Sequence, residues 1–268
     1  MVKVLFIGDI VSKLGRITIR KILPDLKKRD NIDLCLANGE NLAGGRGLTR
    51  ETVLEVIGYG VDYLTGGDHT FWQKSFKDEI KDLPALRPIN LTEDDEGYGS
   101  TEIETNKKAV VSVVSLLGTS STLIRTPASN PFKAIDEFLK GTKRKKGHLI
   151  VIDFHAETSS EKIALGWYLD GRVSAILGTH THVPTCDGSL LPHGTAYISD
   201  VGMVGPRDSV LGVKKEIIIN RFVSGDLSPF EWVKSGPAVF NSVLISFDEK
   251  TGKAVSIERR DFNVEKVR

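Results

Sequence analysis

The sequence predicts a single α/β domain, extended near its C-terminus by antiparallel strands. Short apolar runs alternate with segments in which apolar residues recur at helical spacing, an order typical of α/β proteins. Near the C-terminus, apolar and polar residues alternate instead, as in half-buried antiparallel strands. No repeat, low-complexity tract or linker divides the sequence, so residues 1–268 are expected to form one domain.

The chain is predicted to begin with a strand, a helix and a second strand. Residues 2–7 are the first apolar run, and apolar positions at helical spacing place a helix at 16–28. The next apolar run predicts a strand at 32–37. Thr49 is expected to cap a further helix, because its hydroxyl can accept the backbone N–H groups of the first helical turn.

The alternation of strands and helices continues through the rest of the chain. Further strands are predicted at 61–64, 109–117, 148–154 and 173–177, and helices at 131–139 and 159–167. Residues 238–247 and 254–260 alternate in character and are predicted to pair as an antiparallel hairpin across 248–252.

The charge balance gives no support for a nucleic-acid-binding or membrane-binding surface. Lysine and arginine total 36 against 35 acidic residues, for a net charge of +1. The one dense basic run, residues 143–146, is expected to be a solvated connection rather than an anion-binding patch. The sequence shows no signal-peptide pattern and no apolar segment long enough to span a membrane. With only two cysteines, a buried Cys35 and Cys186, these features predict a cytoplasmic protein.

Two histidines one residue apart, His180 and His182, follow the predicted strand at 173–177. Residues i and i+2 of an extended chain point to the same side, so both imidazoles can reach one metal ion or two adjacent ions. Alone, the pair is weak evidence, because a polar turn after a strand explains it about as well.

Other strand ends supply partners for these histidines. Four more apolar runs lead into polar side chains: Asp9, Glu40 with Asn41, Asp68 with His69, and Asp153 with His155. In open α/β sheets, ligands bind outside the carboxyl ends of the strands. Each run alone fits a turn or a helix cap, but five together, with oxygen and nitrogen donors and no thiolates, predict a site for manganese, iron or zinc.

The glycine-rich stretch at 39–47 matches neither the phosphate-binding P-loop pattern nor the dinucleotide-binding pattern, so its glycines are expected to turn the backbone around a ligand site. Arg46 within it either contacts a substrate phosphate or faces solvent. Cys186 is expected in a tight turn, with a metal ligand as the alternative. His148 and His193 are expected at the surface.

Several longer motifs resemble those of a known family. They are Phe-Ile-Gly-Asp at 6–9, Asn-Gly-Glu-Asn at 38–41, Gly-Asp-His at 67–69, Asp-Phe-His-Ala-Glu at 153–157, Ala-Leu-Gly-Trp-Tyr at 164–168, Gly-Thr-His-Thr-His-Val at 178–183 and the stretch 194–203. The chain resembles the calcineurin-like metallophosphoesterases and, more closely, the YmdB-like bacterial phosphodiesterases. The resemblance covers nearly the whole chain and implies a calcineurin-like α/β sandwich of two mixed sheets flanked by helices.

The resemblance also implies two metal sites and a proton donor. It assigns Asp9, Glu40, Asn41 and His182 to one metal and Glu40, Asp68, His155 and His180 to the other, with Glu40 shared. His69 would be the proton donor rather than a ligand. The chain departs from the family in having Asp68 where the family has Asn. Glu157 and Asp153 either orient ligand imidazoles or are ordinary helix-start and strand-end carboxylates.

The function implied is hydrolysis of cyclic nucleotides (2',3' or 3',5') or other small phosphodiesters. Two transition metals, iron or manganese with zinc as an alternative, would activate a bridging hydroxide for attack on phosphorus, and His69 would protonate the leaving oxygen. The alternatives are a phosphomonoesterase of the same superfamily and a regulatory or interaction protein that keeps the metals but turns over slowly. The sequence does not decide between a monomer and a homo-oligomer. The only binding partner that it indicates is the small phosphodiester or cyclic-nucleotide substrate.

Overall fold

Strands and helices alternate over the part of the chain that the computed structural model describes, residues 1–92, 96–143 and 145–267. The strands are β1 (Val2–Ile7), β2 (Asp9–Ile10), β3 (Leu34–Asn38), β4 (Tyr63–Thr65), β5 (Ser100–Glu104), β6 (Val110–Leu117), β7 (Leu149–His155), β8 (Ala175–Thr179), β9 (Ser189–Leu190), β10 (Ala196–Ile198), β11 (Met203–Pro206), β12 (Gly236–Phe240), β13 (Ser242–Phe247), β14 (Ala254–Arg259) and β15 (Phe262–Val267). The α-helices are α1 (Ser12–Asp30), α2 (Arg50–Gly58), α3 (Phe76–Glu79), α4 (Pro131–Gly141), α5 (Ser159–Leu169) and α6 (Lys215–Ser224).

These strands form three hydrogen-bonded sheets. The first has the order β14-β13-β1-β3-β4, the second β5-β6-β7-β8-β10-β9, and the third β15-β12-β11-β2. Parallel strands form the middle of the second sheet and one side of the first, and antiparallel strands are added at the edges.

The first and second sheets pack face to face, and helices cover their outer faces. Phe6 and Leu36 of the first sheet share a buried cluster with Val151 and Leu177 of the second. On the other face of the first sheet, residues of β1 and β3 pack against α1 and α2. On the other face of the second sheet, residues of β6 and β7 pack against α4 and α5. This four-layer order follows from strands that are apolar on both faces.

The third sheet is where the structure differs from the sequence-based expectation of two sheets. The predicted strand at 238–247 is broken at Asn241, whose carbonyl accepts the backbone N–H of Gly8. β13 continues in the first sheet, while β12 joins β11 in the third. The expectation of one strand was wrong because an alternating pattern does not reveal that a strand changes partners. The hairpin between β13 and β14 is confirmed.

Several local predictions can be compared directly. Thr49 caps α2 as predicted, and its hydroxyl accepts the backbone N–H of Thr52 at 3.3 Å. His193 is exposed as predicted, but the prediction for His148 was wrong, because its side chain is only 3% exposed and its Nε2 lies 2.8 Å from the hydroxyl of Ser112. The sequence did not predict α6, because none of its residues is buried and it has no apolar stripe facing a core.

The basic run at 143–146 includes Arg144, which lies outside the described residues, and its three lysines are exposed. Among the residues that the structure describes, no helix combines the length and apolar character needed to cross a lipid bilayer.

Candidate metal centre

The predicted ligands lie where the strands of the two packed sheets end. Asp9 follows β1 through Gly8, which has no room for a side chain because the backbone carbonyl of Gly202 lies directly against it. Glu40 follows β3, Asp68 follows β4, and His155 is the last residue of β7. The two sheets therefore bring residues that are distant in sequence to one edge.

Four of these side chains form a compact group of possible metal ligands. Glu40, Asp68, His155 and His180 each offer one ligating atom, and these atoms lie within 4.8 Å of one another. His155 Nε2 lies 3.1 Å from Asp68 Oδ1, 3.3 Å from Glu40 Oε2 and 2.9 Å from His180 Nδ1. This group has the same four members as the second metal site implied by the family resemblance.

The remaining predicted ligands lie beside Glu40. Asp9 Oδ1 is 3.7 Å from His182 Nε2, and the Asn41 amide nitrogen is 3.2 Å from that same ring atom. Asn41 also donates to Glu40 Oε1 at 3.0 Å. A half-turn of the Asn41 amide would present its oxygen to this space instead, because the two amide atoms have nearly the same shape. Asp9, Asn41 and His182 thus converge on the shared carboxylate.

The chemistry of the group fits bound cations. Asp9 Oδ1 is buried and, over the described residues, accepts no hydrogen bond, which is costly for a carboxylate. Burial alone would raise the carboxyl pKa values of Asp9, Glu40 and Asp68, but the neighbouring imidazoles lower them. The buried His155 has its pKa raised by the same carboxylates, chiefly Glu40. Such a concentrated negative charge favours cations, and mixed oxygen and nitrogen donors suit divalent transition metals.

A buried network fixes the orientation of His155. Its Nδ1 lies 2.9 Å from the hydroxyl of Thr179, which donates to Asp153 Oδ1 at 2.7 Å. The hydroxyl proton is used on Asp153, so Thr179 accepts from Nδ1–H, and Nε2, which faces Glu40 and Asp68, is the ring atom that a metal would bind in place of a proton. Burial raises the pKa of Asp153 to about 6, although its hydrogen bonds oppose that rise. Asp153 therefore acts on His155 through Thr179 rather than by direct contact.

Glu157 has a similar relation to His180. Its Oε2 lies 2.8 Å from His180 Nε2, on the opposite side of the ring from Nδ1, which faces His155 and Asp68. A carboxylate at this distance favours a proton on Nε2 and leaves Nδ1 free to bind a metal. The geometry thus favours the orienting role for Glu157.

The loop that carries both histidines has an unusual backbone. His180 and His182 have φ angles of 98° and 64°, in the left-handed region that side chains disfavour. The buried Asp200 carboxylate accepts from the backbone and hydroxyl of Thr181 between them, at 3.1 and 2.8 Å. Lys162 Nζ, only 3% exposed, donates to Asp200 Oδ2 and to the Thr179 carbonyl, each at 2.8 Å. This buried ion pair holds the loop in place.

Sequence reasoning did not find Lys162, Asp200 or Thr179. Lys162 and Asp200 are 38 positions apart in the chain and meet only in the folded protein. A lysine on the buried side of α5 was the one available signal, since an unpaired buried lysine is costly. Cys186 is exposed and is not part of the four-residue group, so the turn interpretation fits the structure better.

His69 lies at the edge of the group with one ring nitrogen engaged, chiefly by Glu40, which remains beside Nδ1 in either orientation of the Asn41 amide. Its Nδ1 is 3.0 Å from both Glu40 Oε1 and Asn41 Oδ1, and its backbone N–H donates to Glu40 Oε2 at 2.9 Å. Its Nε2 is 3.7 Å from Asp68 Oδ2, beyond hydrogen-bonding distance. Burial would lower the pKa of His69, but the Glu40 carboxylate raises it above its ordinary value. Acceptors around Nδ1 place a proton there and leave Nε2 free.

A cavity of about 390 Å³ opens beside this group. Glu40, His69 and His180 contribute to its polar lining. Its apolar lining comes largely from the segment 210–232, which includes α6. The cavity therefore connects the ligand cluster to a surface that can contact an organic group.

Comparison with known proteins identifies close relatives. A family model described as YmdB-like protein matches residues 5–260. A Bacillus subtilis protein named 2',3'-cyclic-nucleotide 2'-phosphodiesterase is 43% identical over 96% of both chains. A Mycoplasma pneumoniae crystal structure, titled a novel phosphatase, is 38% identical with a TM-score of 0.90 and covers 99% of this chain and 94% of its own. A Thermus thermophilus structure is 37% identical, with a TM-score of 0.88 over 97% of this chain and 99% of its own.

Proposed function

This chain belongs to the YmdB-like protein family, and from that premise we propose that it is a metal-dependent phosphodiesterase acting on cyclic nucleotides or other small phosphodiesters. The observation that carries the proposal is the group formed by Glu40, Asp68, His155 and His180, whose ligating atoms lie within 4.8 Å of one another. Among cyclic nucleotides, we propose the 2',3'-cyclic forms as substrates, because the Bacillus subtilis relative is named for their hydrolysis.

Two metal ions have a complete set of donors in this proposal. Asp9, Glu40, Asn41 and His182 would hold one ion, and Glu40, Asp68, His155 and His180 the other, with Glu40 shared. Bound there, a pair of iron or manganese ions, with zinc as an alternative, supplies an activated water for in-line attack and neutralises charge on the phosphoryl oxygens.

His69 is the residue that we assign to the leaving group. Its Nδ1 is occupied by Glu40, so Nε2 is the atom that can give a proton to the departing sugar oxygen. Its raised pKa keeps the ring protonated to higher pH, as a general acid requires. His69 also lines the cavity, where a substrate would be bound.

The finer structural assignments belong to the same proposal. The face-to-face packing of two sheets between helices is consistent with a calcineurin-like sandwich, and we propose that residues 1–268 form a single domain of that fold. Both cysteines are free thiols, as in proteins of reducing compartments, so we place the reaction in the cytoplasm.

A second candidate function is hydrolysis of phosphate monoesters, because the similar Mycoplasma pneumoniae structure is titled a phosphatase. The same residues could serve either ester, since the metal donors do not distinguish them. A slow regulatory protein that keeps the metals is the third candidate.

Hydrolysis assays separate these candidates. The Mn²⁺-loaded protein is tested with adenosine 2',3'-cyclic phosphate, bis-p-nitrophenyl phosphate and p-nitrophenyl phosphate. Diester hydrolysis well above monoester hydrolysis is the expected result. Faster monoester hydrolysis would replace the proposal with the second candidate, and activity on none of the three would favour the third.

A further inference from the structure

Two arginines line the cavity beside the ligand cluster, and neither is paired with a carboxylate in the part of the chain that the structure describes. Arg46 comes from the glycine-rich loop and Arg221 from α6, and both line the same cavity as Glu40 and His180. Over the described residues, neither guanidinium forms an ion pair. The cavity therefore has two positive groups apart from any metal.

Aromatic rings hold both arginines in position. The guanidinium carbon of Arg221 lies 4.4 Å from the ring centroid of Phe230, and that of Arg46 lies 5.3 Å from the same centroid. Arg46 also lies 4.7 Å from the centroid of Trp72. A guanidinium that rests on a ring keeps its N–H groups available at its edge, where they can bind an anion in two places at once.

Arg221 has a donor that the protein leaves unused. One of its terminal nitrogens donates to the carbonyl of Ser228 at 2.7 Å, while its Nε is buried and, over the described residues, has no acceptor. A buried donor without a partner is destabilising, so a small shift of the guanidinium that brings Nε against a bound anion would be favourable.

The Trp72 ring lies between Arg46 and the proposed proton donor His69. The Trp72 ring contacts both Arg46 and His69, with centroids of the two rings 5.5 Å apart. The guanidinium is therefore one aromatic ring away from the proposed proton donor. An anion bound by both arginines would lie beside the reacting phosphate, within the same cavity.

We propose that Arg46 and Arg221 form a second anion subsite, which binds a phosphate other than the one being hydrolysed. The inference rests on the proposed function and narrows it. The preferred substrate would be a nucleotide that carries a further phosphate, such as a 5'-phosphorylated 2',3'-cyclic nucleotide or the end of a short oligonucleotide. The apolar residues of 210–232 that line the cavity would contact its base or sugar.

Binding measurements test the subsite without relying on turnover. The affinity of the Mn²⁺-loaded protein is measured by calorimetry for adenosine 3'-phosphate and for adenosine 3',5'-bisphosphate, which differ by one phosphate. The bisphosphate is expected to bind at least about tenfold more tightly, the gain of one charge-assisted hydrogen-bonding contact. Arg46→Met and Arg221→Met should each bring the ratio of the two dissociation constants toward one.

Arg20→Met is the matched control, because Arg20 also rests on an aromatic ring, 5.9 Å from the centroid of Tyr59, and does not line the cavity. It should leave the ratio at its wild-type value. Equal binding of the two ligands by the wild-type protein would overturn the subsite, as would an equal loss of both ligands in the arginine variants.

Turnover separates this inference from the proposed function. Faster hydrolysis of 5'-phosphorylated adenosine 2',3'-cyclic phosphate than of the unphosphorylated form supports the subsite. Hydrolysis of both at equal kcat/KM would overturn it and leave the phosphodiesterase standing. A third outcome is that neither cyclic phosphate is hydrolysed, while the wild-type protein binds adenosine 3',5'-bisphosphate more tightly than adenosine 3'-phosphate and the arginine variants do not. That outcome would support the subsite and contradict the proposed function.

Discussion

The proposed role of His69 as proton donor can be tested by substitution. His69 is not one of the proposed metal ligands, so its removal leaves both sets of metal donors complete. His69→Ala should lower turnover of a cyclic nucleotide by about two to four orders of magnitude, the usual contribution of a general acid. The loss should be smaller for bis-p-nitrophenyl phosphate, whose leaving group needs no proton. Metal content is measured in parallel and should not change. An equal loss for both substrates would exclude the role of proton donor.

Asp68 supplies a charged donor to the proposed second metal site. Its Oδ1 lies 3.1 Å from His155 Nε2 and 3.4 Å from His180 Nδ1, so a carboxylate stands where an amide would bring no charge. Asp68→Asn removes one negative charge from the group and should weaken binding of one metal by about tenfold or more, since carboxylates bind hard cations more strongly. Titration with Mn²⁺ in the presence of a competing chelator measures the metal affinities of the wild type and the variant. Two unchanged metal affinities would show that position 68 is not a ligand.

The members of the candidate metal group could be located from the sequence, whereas the residues that contact and support them could not. Asp9, Glu40 and His180 each follow an apolar run, and the end of a strand is visible in the sequence. Arg221 lies on a helix with no apolar stripe, and the pattern gives no reason to place it near Arg46. Such contacts depend on tertiary packing, which local periodicity does not encode.

At the scale of elements, the loop after β8 depends on a pair of charges from α5 and the segment after β10. Lys162→Met would leave the Asp200 carboxylate buried without its cation and should cost about 3–5 kcal/mol in the free energy of unfolding. Adding Asp200→Asn removes the buried charge and should recover much of this loss. The double variant should still bind metal more weakly, because the contacts that hold His180 and His182 are altered. Chemical denaturation and metal titration measure the two effects separately. Full recovery of metal affinity would contradict a positioning role for the pair.

The C-terminal end of α1 has a charge contact whose contribution depends on pH. The hydrogen bond from Arg29 lowers the pKa of Asp30 to about 2, with a further contribution from Arg260 beyond β14. Because the folded-state pKa lies below the ordinary value of 3.8, the ionised form stabilises the fold above about pH 4 and the contribution is lost as the pH falls toward about 2. Asp30→Asn should cost about 1 kcal/mol at pH 7, as partly exposed pairs do, and less at pH 3. Chemical denaturation of the wild type and the variant at pH 7 and pH 3 measures this loss in the free energy of unfolding. A loss that is the same at both pH values would exclude the ion pairs as its cause.

The arrangement of elements shows where patterns in the sequence stop being informative. The strands β6, β7 and β8 could be predicted to within a few residues, because each is a buried apolar run. The break at Asn241 could not, since apolar residues on either side of it are equally compatible with one continuous strand. Sheet membership is decided by the backbone partner, and Gly8 supplies that partner from the opposite end of the chain.

At the scale of the whole molecule, the proposed metal centre connects all three sheets and should therefore affect global stability. Its proposed donors come from β2 of the third sheet, from the segments after β3 and β4 of the first sheet, and from β7 and the loop after β8 of the second. Without a cation, the buried Asp9 Oδ1 accepts no hydrogen bond from the described residues, and the Glu40 and Asp68 carboxylates lie close to one another. Unfolding separates all of these donors, so a metal that binds only the folded protein must stabilise it.

We therefore expect purified protein to contain close to two transition-metal ions per chain and to lose stability when they are removed. Mn²⁺ at about 100 times its dissociation constant should raise the free energy of unfolding by about 2.7 kcal/mol for each site. Asp9→Asn is the informative variant, because it removes a buried charge whose Oδ1 atom accepts no hydrogen bond among the described residues. Its metal-free form should be at least as stable as the metal-free wild type, while its gain on adding Mn²⁺ should be smaller. Elemental analysis and thermal unfolding with and without a chelator measure both quantities. A wild-type protein that binds no metal after loading, or unfolds at the same temperature with and without it, would contradict the dinuclear centre.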